Sequence, residues 1–354
     1  MKYNQPYGVS DPQAAYINGN PATGTMGSIP PAEAVEFDQR EIVNVIQYAH
    51  DQGLVDFTSQ PCAQPSNGDL QQLLKAIFGM TRLNKLQADT TVYINSSTGD
   101  DSLGNGSTVA PYRTYQTAVN NAQARIDLNQ QHTITFHGTG AFTNPVSPVG
   151  ASICSLFGAF AGQAGAPSVV FDNTNATFNA VNGSCFWISS GAQCTVIGGS
   201  YVATWDHIAS HTGQGCAFII GGGGSVTHWG GTFNGCDSAH WFNYGEVQIV
   251  KPYTIAGNAQ YHIVCEPQAV WGSSNGPFNI ALSGTPNFSG AFASIYGGSV
   301  GLGGFGASFT GSATGKKFII SGFGTLYTSG NGVNFPPGNQ AGTIAANTGN
   351  GELV

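Results

Sequence analysis

From residue 133 to about residue 330 the chain runs as short β-prone segments bounded by Gly, Asn or Ser, and two stretches of it repeat one another. Trp187-Ile188-Ser189-Ser190-Gly191 through Ile197-Gly198-Gly199-Ser200-Tyr201 aligns with Ile219-Ile220-Gly221-Gly222-Gly223 through Trp229-Gly230-Gly231-Thr232-Phe233, at an offset of 32 residues. Later segments recur at irregular intervals of roughly 20–30 residues, within the range of solenoid repeats. Such a unit makes one coil of about three short strands with glycines at the corners, and stacking buries a continuous core in which like residues lie above like. A sandwich or barrel is the competing architecture, but it asks for hairpin turns. Asn-Gly pairs occur in the β region only at 182–183, 234–235, 275–276 and 331–332. The expected strands are Thr133–Phe136, Ser168–Phe171, Cys185–Ile188, Cys216–Ile220, Glu246–Val250, Tyr261–Cys265, Phe278–Leu282, Ala291–Tyr296 and Phe318–Ser321.

Composition narrows the classes. Charged residues make up 8% of the chain and 51 of 354 residues are glycine, so the surface is polar without being charged. Hydrophobic residues at 41% and a net charge of −8 argue against disorder. The glycines keep no period of three, which excludes collagen. Ten Lys+Arg, unclustered, disfavour nucleic-acid binding. Residues 1–129 hold 12 of the 18 acids, 7 of the 10 bases and 10 glycines, so a mixed helical segment precedes the uncharged β segment. The polar start, Met1-Lys2-Tyr3-Asn4-Gln5-Pro6, lacks the apolar stretch of a signal peptide, and synthesis in a cytoplasm is expected. The seven cysteines form no CxxC pair, so they read as buried small apolar side chains rather than zinc ligands.

Residues 1–28 read as an extended arm. After Ile29-Pro30-Pro31, a helix with Val35, Ile42, Val45, Ile46 and Ala49 on one face is expected to stop at Asp51-Gln52-Gly53. A second, opening at Asp69, places Leu70, Leu73, Leu74 and Ile77 at i, i+3, i+4 and i+7, with Gly79 as its C′ residue. Two such stripes are too small a core to fold alone, so a partner surface is expected. The strand Val92-Tyr93-Ile94-Asn95 follows, then a helix after Pro111 with Tyr115, Ala118, Val119, Ala122 and Ile126 on one face. Its place before the other strands suits a lid over the first coil.

Two segments resemble phage tail-fibre and tailspike proteins. Gly27-Ser28-Ile29-Pro30-Pro31, Glu41-Ile42-Val43-Asn44-Val45-Ile46 and Pro65-Ser66-Asn67-Gly68-Asp69-Leu70-Gln71-Gln72-Leu73-Leu74-Lys75-Ala76-Ile77 are similar to a segment near the N-terminus of many such fibres, with a longer, Cys62-containing insertion before Pro65. Val92-Tyr93-Ile94-Asn95, Gly99-Asp100-Asp101 and Pro111-Tyr112-Arg113-Thr114-Tyr115-Gln116-Thr117-Ala118-Val119 resemble the entry of right-handed parallel β-helices of tailspike and pectate-lyase type. The resemblance implies an all-β chain: an attachment segment over 1–90, a right-handed parallel β-helix over 91–330 and a tail over 331–354. It implies a homotrimer in the virion tail, acting outside the cell. The first segment would be held to other tail or baseplate proteins by Ile42, Val45, Ile46, Leu70, Leu73, Leu74 and Ile77. The shaft would contact host-surface polysaccharide, with no cofactor, nucleic acid or membrane insertion.

Many β-helical spikes cut polysaccharide, and a glycosidase needs two carboxylates about 5–9.5 Å apart. Beyond residue 130 the acids are Asp172, Asp206, Asp237, Glu246, Glu266 and Glu352. Trp205-Asp206-His207 with His211, and Cys236-Asp237 with His240 and Trp241, lie about thirty residues apart. If one coil separates them, Asp206 and Asp237 are candidate acid and base, with Trp205, His207, His211, His240 and Trp241 as sugar contacts. The alternative is that they cap turns and bind backbone amides. Glu246 and Glu266 read as a solvated face, and the eight histidines show no metal-binding spacing. Gly221–Gly224 reads as a tight corner. The reading is a structural and adhesive tail component; a depolymerase using Asp206 and Asp237, a secreted polysaccharide lyase on the same fold and a purely structural baseplate or collar subunit are the alternatives.

Overall fold

The computed structural model describes the chain except residues 1–5, 9, 11–13, 16, 18, 29–31, 52–60, 67–70, 82–83, 146–150, 166–167, 207–214, 274–277, 303–306, 329–334, 346–351 and 354; for 32–38, 78–81, 84 and 352–353 it describes backbone alone. It divides into two compact units, Met1–Asn84 and Lys85–Val354.

The first unit holds helices α1 (Ala32–Asp51) and α2 (Gln72–Thr81). Its core is small: Ile46, Ala49, Cys62 and Ala76, with Val45 and Leu73 packed against it. Two alanines at the contact let the helices approach closely. Gln72 is buried beside them, donating to the Gln64 carbonyl and the Ser66 hydroxyl and accepting from the Ser66 amide. The expected apolar stripes are therefore only half used: Ile42, Leu74 and Ile77 stay exposed. The α2 helix runs through Gly79, which is not its C′ residue. Leu70 lies outside the described residues.

In the second unit, strands form a nine-stranded and a fifteen-stranded sheet, and their strand pairs among the described residues are parallel. From Phe186–Ser189 to Asn287–Tyr296 the chain returns to the same ladder every third strand. One face stacks Cys154–Phe157, Phe186–Ser189, Phe218–Ile220, Ala239–Asn243, Ala259–Cys265, Asn287–Tyr296 and Phe318–Ser321. Its inward column runs Cys154, Phe186, Phe218, Trp241, Ile263, Ala293 and Phe318, at steps of 32, 32, 23, 22, 30 and 25 residues. A second face stacks Gln193–Ile197, Ser225–Trp229, Glu246–Lys251, Val270–Ser273, Ser299–Gly301 and Thr325–Tyr327. A third stacks Ser200–Thr204, Thr232–Cys236, Tyr253–Ile255, Asn279–Leu282 and Ser308–Thr310. The long strand Val169–Val181 turns the corner, pairing Thr195–Ile197 with its first half and Ser200–Thr204 with its second.

The register explains the internal repeat. Trp187 pairs with Ile219, Ile197 with Trp229 and Tyr201 with Phe233, so the 32-residue offset is one turn of strand pairing. Aromatic rings consequently sit over one another in the core: Phe186 on Phe218 at 5.4 Å, Phe218 on Trp241 at 4.4 Å and Phe178 on Tyr201 at 5.3 Å, each nearly parallel. Such offset stacks add about 0.5–1.5 kcal/mol beyond simple burial. Gly221–Gly224 is the expected corner: Gly223 has φ +73°, and a Cβ on Gly224 would lie 2.6 Å from the Ile188 carbonyl.

Helix α3 (Tyr115–Arg125) buries Tyr115, Ala118, Val119 and Ala122 in this core, and Thr114 caps it by accepting from the Thr117 amide. Asp101 accepts from the Arg113 and Thr114 amides and the Thr114 hydroxyl, which ties the preceding Gly-Asp-Asp loop to the helix start. At the other end, Thr343–Ile344 and Glu352–Leu353 extend two of the ladders, so these parts of 331–354 belong to the sheets. All seven cysteines are buried and none is in a disulfide; burial pushes the Cys216 and Cys265 thiols up to about 12.

Candidate functional site

The corner after Ser200–Thr204 carries the two candidate carboxylates. Asp237 is exposed, and its Oδ2 accepts the Trp205 backbone N–H at 2.7 Å, while its own amide donates to the Ala203 carbonyl. Its carboxylate thus ties one coil's corner to the next, the turn-binding role. Asp206 is exposed and Trp205 half-buried beside it; His207 and His211 lie outside the described residues.

His240 and Trp241 do not line this corner as sugar contacts. Both are fully buried in strand Ala239–Asn243, Trp241 stacked on Phe218 and His240 against Phe233, so neither reaches a sugar outside. The expected loop ends earlier than its composition suggests, and two successive side chains turn inward where the strand leaves the corner.

A different set of polar and aromatic side chains is brought together on the outer side of the second face. Register aligns Tyr93, His137, Asp172, Ile197, Trp229 and Lys251 in one column. His137 Nδ1 lies 2.8 Å from Asp172 Oδ2, and the Tyr93 ring meets the His137 ring edge-on at 5.7 Å. Partial burial raises the Asp172 carboxyl, but hydrogen bonds from the Thr174 hydroxyl, His137 and the Thr174 amide outweigh it, and the net displacement is below the ordinary range. The carboxylate stays charged, fixing the orientation of a half-exposed imidazole. Farther along, Trp229 is 41% exposed with the Lys251 ammonium 5.7 Å from its ring centre. No local motif reveals this column; the 35-residue step from His137 to Asp172 becomes meaningful only once the coil length is known.

The outer side of the first face has its own apolar cluster. Cys216, Ile219, Ala239 and Val264, joined by Trp187, Phe242 and Tyr261, form a group separate from the main core. Ile219 belongs to it while its neighbours Phe218 and Ile220 belong to the main core, which places the two clusters on opposite sides of one sheet. Glu246 is exposed and accepts from Gln248 Nε2; partial burial raises the Glu266 carboxyl.

Among the described residues, no cluster of three or more His, Cys, Asp or Glu is placed to hold a metal ion, and no helix is long and apolar enough to cross a membrane. Comparison with protein-family models, curated proteins and solved structures finds no match to this chain.

Proposed function

We propose that residues 85–354 form a right-handed parallel β-helix serving as the shaft of a phage tail-fibre or tailspike-like protein, and that residues 1–84 attach it to the virion. The observation that carries this reading is the return of the chain to the same parallel ladder every third strand, with like side chains in register. Parallel connections of this kind are right-handed in nearly all proteins. The shaft assembles as a homotrimer, as the resemblance to tail fibres implies. The exposed faces of Ile42, Leu74 and Ile77 are the attachment surface on the first unit. Host-surface carbohydrate is contacted along the outer column, where Trp229 offers a ring face and Lys251 a hydrogen-bond donor. Three copies raise a weak single-site affinity by avidity.

Light scattering on the full chain is the first test. A mass near three times 36.6 kDa is expected, and a folded monomer would overturn the trimeric shaft. With the trimer established, Trp229→Ala should reduce adsorption to host cells at least tenfold while leaving the mass unchanged.

A second reading is glycan cleavage of the lyase type, which calls for a base rather than for two carboxylates, and it rests on His137–Asp172. The Asp172 carboxylate holds the His137 ring for proton transfer. Loss of glycan release in His137→Gln, with the trimer intact, would favour that reading.

A further inference from the structure

Three histidines, His228, His240 and His262, are fully buried in the middle coils. His240 Nδ1 and His262 Nδ1 lie 2.8 Å apart, so one ring donates its N–H to the other's lone pair. The Tyr253 hydroxyl lies 2.7 Å from His262 Nε2 and completes a chain of three groups. The far nitrogen of His240 and both nitrogens of His228 meet no hydrogen-bond partner among the described residues.

Their surroundings are aromatic. His228 packs against Phe218, Phe233, Trp241 and Tyr253. His240 meets Phe233, His262 and Phe288. His262 meets Phe233, Tyr253, Trp271, Phe288 and Phe292 as well as His240. Among the described residues, the groups whose charge acts on these rings are the histidines themselves, with the Tyr253 hydroxyl beside His262; no carboxylate acts on any of the three. A proton on His228 would be a charge without a hydrogen bond in an apolar core. A second proton on the His240–His262 pair would set two N–H donors face to face at 2.8 Å.

We propose that this histidine cluster is an acid-operated release in the middle coils, which hold at neutral pH and open on mild acidification. The inference does not depend on where the protein is carried or what it binds.

The sign follows from burial. Desolvation lowers His228 and His240 from 6.5 to about 3, and burial, with the neighbouring histidines, lowers His262 well below its ordinary value. The histidines are therefore neutral when the coils are closed and take up protons when they open. Stability from this source is complete above pH 6.5 and falls as the pH drops from there toward about 3. Three protons per opening raise the opening equilibrium about 10⁴-fold between pH 7 and pH 5. Ordinary carboxylates titrate mostly below this window.

Hydrogen exchange on the full-length protein at pH 7 and pH 5, corrected for intrinsic rates, reads this directly. Protection factors in Ser225–Trp229, Ala239–Asn243 and Ala259–Cys265 should fall about 10⁴-fold, and in His228→Phe the fall should shrink to under about 10³-fold. A wild-type fall of less than tenfold, or an undiminished fall in the variant, would overturn the proposal. If the variant does not fold, the slope of wild-type unfolding free energy against pH near 5.5 decides. It should correspond to uptake of between two and three protons, and an uptake below one would reject the release.

Discussion

Asn173 connects the lid to the coils beneath it. It is fully buried, accepts from the Tyr115 hydroxyl at 2.6 Å and donates to the Tyr201 hydroxyl at 3.2 Å, and that hydroxyl in turn donates to the Gly198 carbonyl. Every member is satisfied, which lets a polar group lie inside an aromatic core without the usual desolvation penalty. Asn173→Ala removes two bonds and leaves the Tyr115 hydroxyl buried without its acceptor. A loss of about 1–3 kcal/mol is expected, measured as a drop in denaturant midpoint with unchanged m-value. Tyr115→Phe with Asn173→Leu should recover part of it, because replacing both partners by apolar groups removes the orphan. Residue-scale chemistry is also where sequence reading falls short. Aromatic and acidic residues around a corner suggest a sugar site, yet whether His240 faces sugar or core depends on where the strand begins, which composition does not reveal. Asp172 and His137 illustrate the converse, a pair joined only by coil register.

At the scale of elements, helix α3 closes the open edge of the first face. Cys154–Phe157 is the terminal strand of its sheet, and its outer backbone groups would otherwise offer a template for another strand. Gln116 answers them as a neighbouring strand would: its Oε1 accepts the Ser155 amide at 2.7 Å and its Nε2 donates to the Ser155 carbonyl at 3.1 Å. Gln123 Nε2 reaches the Phe157 and Gly158 carbonyls at 3.3 Å each. The double variant Gln116→Ala, Gln123→Ala should lose about 1–3 kcal/mol and expose the edge, so aggregation on mild heating should rise in turbidity measurements. The lid was legible in the sequence because Tyr115, Ala118, Val119 and Ala122 keep helical period directly after Pro111. The 32-residue similarity likewise marks true strand neighbours. Strands such as Gln193–Ile197, Ala239–Asn243 and Tyr253–Ile255 are missing from the expected set: the first runs into Gly198-Gly199, the second opens directly after the polar corner Asp237-Ser238, and the third has three residues behind Pro252. The helices of the first unit are legible as elements but not as a packed pair, since Ala49, Ala76 and Gln72 take the contact and leave three of the larger apolar residues outside.

The whole molecule is held by apolar columns and backbone ladders, with few charges to add or subtract. After residue 130 there are three bases, Lys251, Lys316 and Lys317, against six acids. The proposed adhesion, if such a surface carries it, rests on ring faces, hydroxyls and amides, whose contributions are not screened by salt as ionic ones are. The outer column fits this: Trp229 presents an indole, and the ammonium of Lys251 lies over it. Between 50 and 500 mM NaCl the half-saturating concentration for adsorption to host cells should therefore change by less than about twofold. A tenfold weakening would mean that ion pairs carry the attachment, and Lys251→Gln would then separate the two sources, because it removes the charge while keeping a donor. If Lys251→Gln leaves the salt response unchanged, the charged residues of the first unit become the place to look, since most of the chain's acids and bases lie before residue 130.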